Sequence, residues 1–179
     1  MESNPKTTSG CGCSSQSRDE QRPCPTCNHL GEAITPKTPQ HTLKAPFRKE
    51  VDANGAYYFC PQPDCPTVYF EFPTGHTFTT PQLIHRVTVK DEHLETPLCY
   101  CFKIKKGEVL DKFRIYGITD ISAMIREKAK GRPCQCSIFN PRGVCCTEGI
   151  REWLIKEGID PKMALADGCC SGEDGESCC

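Results

Sequence analysis

Apolar and polar positions alternate differently in the two parts of the chain. Between residues 23 and 96 the apolar positions fall in short runs of aromatic and β-branched side chains, Ala56–Phe59, Thr67–Phe72 and Ile84–Val89, the composition of strands. Turn-forming sequence separates them: Asn54–Gly55, Pro61–Gln62–Pro63–Asp64 and Pro73–Thr74–Gly75. Asn54–Gly55 ahead of Tyr57 predicts a hairpin turn. From 97 to 157 the period becomes helical. Val109, Leu110 and Phe113 follow Gly107. Thr119 is placed to cap a helix with Ile121, Met124 and Ile125 on one face and Gly131 as its stop. Thr147 is placed to cap a third, with Ile150, Trp153 and Leu154 as its stripe and Gly158 as its end. Residues 1–22 and 158–179 lack periodicity, the latter acidic and Gly-rich, and read as flexible tails. The pattern predicts an α+β chain: a small β-rich subdomain over 23–96, then a small helical subdomain over 97–157.

Composition narrows the function. Only 37% of the 179 residues are hydrophobic, so the apolar core is modest. Lys+Arg number 22 against 23 Asp+Glu, which argues against a nucleic-acid partner. No apolar run reaches the ~18 residues of a membrane span. The polar N-terminal sequence lacks the apolar core of a signal peptide, so a cytoplasmic, reducing environment is expected.

The outlier is cysteine, 16 residues or about 9%. They fall into eight close pairs: 11/13, 24/27, 60/65, 99/101, 134/136, 145/146, 169/170 and 178/179. Near neighbours seldom bridge one another, whereas two thiolates from one turn readily share an ion. Spacing and compartment together favour metal over disulfides.

Cys24-Pro25-Thr26-Cys27 is a tight knuckle, and Cys60 to Cys65 is a bend carrying Pro61 and Pro63. Four thiolates on two turns fit a closed structural zinc site of Cys24, Cys27, Cys60 and Cys65. A redox reading of Cys24–Cys27 lacks the surrounding βαβ pattern, and the five histidines carry no ligand spacing. The second set is Cys99-Tyr100-Cys101, then Cys134-Gln135-Cys136 and Cys145–Cys146 beyond two expected helices. It suits either a [2Fe–2S] cluster or a second zinc. Residues 97–157 hold 12 Lys+Arg against 7 Asp+Glu, a local excess that offsets the negative charge of a thiolate-bound cluster.

These motifs, with Tyr57-Tyr58-Phe59-Cys60, Pro63-Asp64-Cys65, Val68-Tyr69-Phe70, Pro97-Leu98-Cys99-Tyr100-Cys101-Phe102 and Asn140-Pro141-Arg142-Gly143-Val144-Cys145-Cys146, resemble the N-terminal domain of the CopZ-type copper chaperones over residues 23–157. The cluster half is also similar to bacterioferritin-associated ferredoxin. The resemblance implies one zinc and one [2Fe–2S] cluster, and it is the ground for preferring the cluster at the second site. It implies zinc ligands Cys24, Cys27, Cys60 and Cys65, and cluster ligands Cys99, Cys101, Cys136 and Cys146, with Cys145 and Cys134 as alternates. Cys136 is preferred because it precedes the Asn140–Pro141 turn at the family's spacing. Cys146 is preferred because it abuts the third helix, whose positive end favours a thiolate.

The sequence departs from the family in two places. Lys105 stands where a Ser or Thr cap is expected, and no copper-binding domain with its MxCxxC loop follows residue 157. The expected function is a redox and metal-handling accessory that transfers single electrons, with Cu(I) on the tail thiols Cys11/Cys13, Cys169/Cys170 and Cys178/Cys179. Its partner would be a redox or copper-handling protein. The alternative is a soft-metal thiolate buffer or a structural interaction module. The sequence carries no Ser/His/Asp order, phosphate loop or Rossmann glycines, so a conventional enzyme is disfavoured.

Overall fold

The structure, a computed structural model, describes residues 21–117 and 119–165. The tail cysteines 11, 13, 169, 170, 178 and 179 lie outside the described residues.

Strands β1 (Arg22–Pro23), β2 (Leu30–Ile34), β3 (Ala56–Phe59), β4 (Thr67–Phe72) and β5 (Thr77–Thr79) form one antiparallel sheet in chain order. Tyr58 pairs with Ala33 on one side and Phe70 on the other. Its ring stacks on Phe70 with centroids 5.3 Å apart, on the face that carries Cys24, Cys60 and Cys65. The alternate residues Tyr57, Phe59, Tyr69 and Phe78 fill a second core on the opposite face with Ile34, Leu43 and Val68. Both faces are covered, so β3 and β4 read as continuous apolar runs. Gly31 belongs to this packing: a Cβ there would lie 2.5 Å from Phe70 Cζ. Helices α1 (Lys37–Thr42) and α2 (Ala45–Arg48) cross between β2 and β3, and Thr42 Oγ1 lies 2.8 Å from the buried Tyr69 hydroxyl.

The remaining elements are a two-stranded ribbon, β6 (Pro97–Cys99) and β7 (Ile104–Lys105), then α3 (Lys106–Tyr116), α4 (Ile121–Ala129), α5 (Cys136–Phe139), α6 (Thr147–Lys156) and α7 (Pro161–Ala164). Leu98, Ile104, Val109, Ile121, Met124, Ile150, Trp153 and Leu154 form their core, with Cys99, Cys136 and Cys146 at its edge.

Several sequence expectations are corrected. Asn54–Gly55 is a turn but joins no hairpin, because α1 and α2 separate β2 from β3; the turn closes through the Gly55 N–H to Asp52 O and feeds the chain into β3. Asp120, not Thr119, caps α4, its side chain accepting from the Ala123 N–H at 2.8 Å. Thr147 is the first residue of α6, not its cap. Gly107 lies inside α3. Lys105 indeed precedes α3 with no side-chain cap, and the Lys106 and Gly107 amides donate to Thr96 O and Leu94 O instead. Ordered chain continues past Gly158, where Ile159, Ala164 and Leu165 are buried in the helical core.

Ile84–Val89 is not a strand. Val87 and Val89 pack on the sheet core as a strand's alternate residues would, but the backbone between them bonds to side chains. The Thr88 N–H donates to Tyr100 Oη (2.9 Å), and Thr88 O accepts from Lys106 Nζ (3.1 Å).

The two halves share a polar seam. Arg142 grips Glu32 of β2 with two forked bonds of 2.6 and 2.8 Å and reaches Glu152 of α6 at 3.3 Å. Thr38 Oγ1 donates to Ser137 O at 2.7 Å. Gly143 has φ +71°, and a Cβ there would stand 3.0 Å from Ile34 Cγ2.

Lys106 is buried, yet its ammonium donates to Thr88 O and to Asp91 O (2.8 Å), lies 3.3 Å from Glu92 Oε2 and sits 5.8 Å from the Trp153 ring centroid. Lys106→Met keeps the stem's packing and leaves two carbonyls without their donor. Chemical denaturation should show a loss of about 2–3 kcal/mol.

Candidate metal centres

The first centre is built by two turns at the end of the sheet. After β1 the chain doubles back on itself: Asn28 N–H donates to Cys24 O and Cys24 N–H to His29 O, both at 2.8 Å, with Asn28 at φ 62°. This points Cys24 and Cys27 to one side. Between β3 and β4 the bend closes through Cys65 N–H to Gln62 O (3.2 Å) and Cys60 N–H to Val68 O (2.9 Å). Thr26 and Thr67 hydroxyls, 2.7 Å apart, join the two turns. The four sulfurs of Cys24, Cys27, Cys60 and Cys65 all lie within 4.8 Å of one another. Cys24–Cys65 measures 4.0 Å and Cys27–Cys60 3.6 Å. A tetrahedral ion with metal–sulfur bonds of 2.3 Å sets its ligands about 3.8 Å apart, so the donor set fits zinc in size and chemistry.

Three of these thiols are buried, and Cys27 is the more accessible one. Burial opposes ionisation of Cys27, but the His29 N–H and the S–H donation of Cys65, Cys60 and Cys24 outweigh it and bring its pKa down to about 6. Burial pushes Cys60 and Cys65 up. The ion-free thiols therefore share protons unevenly, and a bound cation replaces those protons. Lys90 was not expected from sequence. Its Nζ donates to Gln62 O (2.6 Å) and Cys65 O (3.0 Å), which sets a half-buried positive charge against the four sulfurs.

The second set of cysteines converges from four elements. Cys99 ends β6 and Cys101 follows it in the turn to β7; Cys136 opens α5; Cys145 and Cys146 run into α6. Cys101 and Cys136 sulfurs are 3.8 Å apart, and Cys101 also accepts the Gln135 N–H at 3.3 Å. Cys146 reaches both Cys99 and Cys136, and Cys145 reaches Cys136 and Cys146. Cys134 lines the same hollow, about 120 Å³, with Cys99, Cys136, Cys145 and Cys146 under Phe102, Ile125, Arg126 and Arg132. That is room for more than a water, whose probe-occupied space is about 10–15 Å³. The contact with Cys136, with help from the Gln135 N–H, draws Cys101 down to about 7 against burial. Contacts with Cys136 and then Cys146 draw Cys145 down, while Cys101 and then Cys145 push Cys136 up, and Cys136, Cys145 and Cys99 push Cys146 up. All six cysteines of 97–157 thus gather in one place. Tyr100, between the two thiols of the turn, was not singled out in the sequence although its place in the motif marks it. It is buried, and its hydroxyl is fixed by Thr88 and Arg86.

Residues 21–84 match the family model of the CopZ zinc binding domain. The copper chaperone CopZ of Archaeoglobus fulgidus is 30% identical over 141 residues, which cover 79% of this chain and 66% of that protein. The X-ray structure of the N-terminal domain of Archaeoglobus fulgidus CopZ superposes with a TM-score of 0.60 at 26% identity, covering 77% of this chain and 98% of that one. The chain is built like the N-terminal domain of a CopZ-type copper chaperone. It spans just under two thirds of the length of the chaperone it matches, 66%. The family model covers the two turns that carry Cys24, Cys27, Cys60 and Cys65, so the four-sulfur cluster lies in the stretch related to zinc binding. Among the described residues no helix is long and apolar enough to cross a membrane.

Cys60 is fully buried. Cys60→Ser should reduce zinc, counted by elemental analysis, well below the wild-type level and lower the melting temperature. Zinc retention in the wild type should also fall as pH drops, because protons compete for the thiolates.

Proposed function

We propose that the chain is a zinc and [2Fe–2S] protein that serves copper handling by moving single electrons. The observation that carries the reading is the convergence of Cys99, Cys134, Cys136, Cys145 and Cys146 on one hollow, with the Cys101 sulfur 3.8 Å from that of Cys136, within a stretch of 12 Lys+Arg and 7 Asp+Glu. In this reading Cys24, Cys27, Cys60 and Cys65 hold zinc, which organises the sheet end. Cys99, Cys101, Cys136 and Cys146 hold the cluster, with Cys145 and Cys134 as alternates. A [2Fe–2S] centre, when bound, supplies reversible one-electron chemistry. The chain's own part is to bury the thiols, offset their charge and exclude water: Phe102 and Ile125 cover the hollow and Arg126 and Arg132 flank it. Copper enters from the name of the related chaperone. The partner is a redox or copper-handling protein, and the setting is the reducing cytoplasm.

A second reading, a soft-metal thiolate buffer, is favoured by one observation: six cysteines surround a site that needs four. The tail pairs, including Cys178–Cys179, would add Cu(I) capacity.

Anaerobically purified protein should be red-brown, with two iron and one zinc per chain on this reading, and should give a [2Fe–2S] EPR signal once reduced. Cys101→Ala should lose the colour, whereas Cys134→Ala should keep it. Colourless wild-type protein that titrates tightly with Cu(I) would instead establish the buffer.

A further inference from the structure

We infer that residues 86–92 form a strap through which the zinc turns and the Cys99–Cys101 turn hold each other in place, with Lys90 and Tyr100 as its positioning residues. The inference rests on the two-centre reading above and goes beyond it by linking the centres.

At one end of the strap, Lys90 Nζ donates to Gln62 O (2.6 Å) and Cys65 O (3.0 Å), both carbonyls of the bend that carries Cys60 and Cys65. Four thiolates around a divalent ion leave a net negative charge, and the ammonium of Lys90 faces it. At the other end, the Tyr100 hydroxyl accepts the Thr88 N–H (2.9 Å) and donates to Arg86 O (3.1 Å). The Thr88 hydroxyl donates to Pro97 O at 2.7 Å, two residues ahead of Cys99. Tyr100 stands between Cys99 and Cys101 in the chain, so these bonds fix the backbone that presents both thiols.

The two ends are two residues apart, and the chain between them is stiff. Lys90 N–H donates to Val87 O (2.9 Å), closing a turn. Lys106 Nζ holds Thr88 O (3.1 Å) and Asp91 O (2.8 Å) from the helical side. Arg86 and Asp91 pair at 2.6 Å, and Val87 is anchored in the sheet core. A displacement at Lys90 therefore moves Thr88, and with it the hydrogen bonds of Tyr100. This is a contiguous chain of hydrogen bonds and packed side chains, a physical form able to carry coupling between sites. When the zinc site empties, the charge that Lys90 faces and the bend it grips both change, and the Cys99–Cys101 turn loses its hold.

The test uses the full chain. Zinc release is followed with the chelator 4-(2-pyridylazo)resorcinol, iron release with bathophenanthroline, and backbone mobility by hydrogen exchange over residues 86–92 and 98–104. Lys90→Met should shed both zinc and iron several-fold faster, and Lys90→Arg should restore both rates toward wild type. Tyr100→Phe, which keeps the ring, should release iron several-fold faster and zinc faster by a smaller factor, because the coupling is reciprocal. The double variant should release iron no faster than the faster single one, since both changes cut the same strap. Zinc-stripped wild type, which needs no substitution to fold, should exchange faster over 98–104 than zinc-loaded protein. The strap is overturned if Lys90→Met sheds zinc quickly while iron release and exchange over 98–104 stay at wild-type rates, or if stripping zinc leaves that exchange unchanged. A chain purified without iron would overturn the cluster reading, and the zinc-dependent exchange over 98–104 would then decide the strap by itself.

Discussion

Four sulfurs within 4.8 Å, three of them buried, set the central constraint of this molecule. Thiolates packed so closely repel one another, and burial disfavours each charge. Within one site the thiols divide the protons, Cys27 drawn down and Cys60 and Cys65 pushed up. A bound cation removes the conflict at every sulfur together. With only 37% hydrophobic residues, divided among separate small cores, the sheet end has few other sources of cohesion. A cation held by these sulfurs would couple metal binding to folding in this half.

The parts legible in the sequence are those where local chemistry and tertiary role agree. Ala56–Phe59 and Thr67–Phe72 have strand composition and are strands with both faces buried. Cysteine spacing located the knuckle and the bend because their geometry is set within a few residues. β2 escaped notice because Gly31 and Glu32 are poor strand formers; Gly31 answers to the Phe70 ring and Glu32 to Arg142, both distant in sequence. Ile84–Val89 misled for the opposite reason. Its side chains suit a strand, but its polar backbone is satisfied by Tyr100 and Lys106, which no local pattern reveals. The end of the fold was placed too early, although Asp160 followed by Pro161 is a helix start in miniature.

The second thiol set shows the limit of spacing. Sequence alone left zinc and iron–sulfur both open, and the decision leaned on family resemblance. Folding adds what spacing could not: Cys99 meets Cys134, Cys136, Cys145 and Cys146, all more than thirty residues further along the chain, at one hollow that Arg126 and Arg132 face. No pair of neighbouring cysteines could have indicated that Cys146 would touch Cys99.

The fork between Arg142 and Glu32 bears on how such a protein can be divided. Arg142 lies in the turn that delivers Cys145 and Cys146, yet its principal partner sits on a strand of the other half. Gly143 beside it rests on Ile34 and Thr38 of that half as well. The last thiols of the second set are thus seated on a surface supplied by the first. A cut between the halves would keep the cysteines of the helical half but take from that turn the carboxylate that holds Arg142 and the side chains on which Gly143 rests.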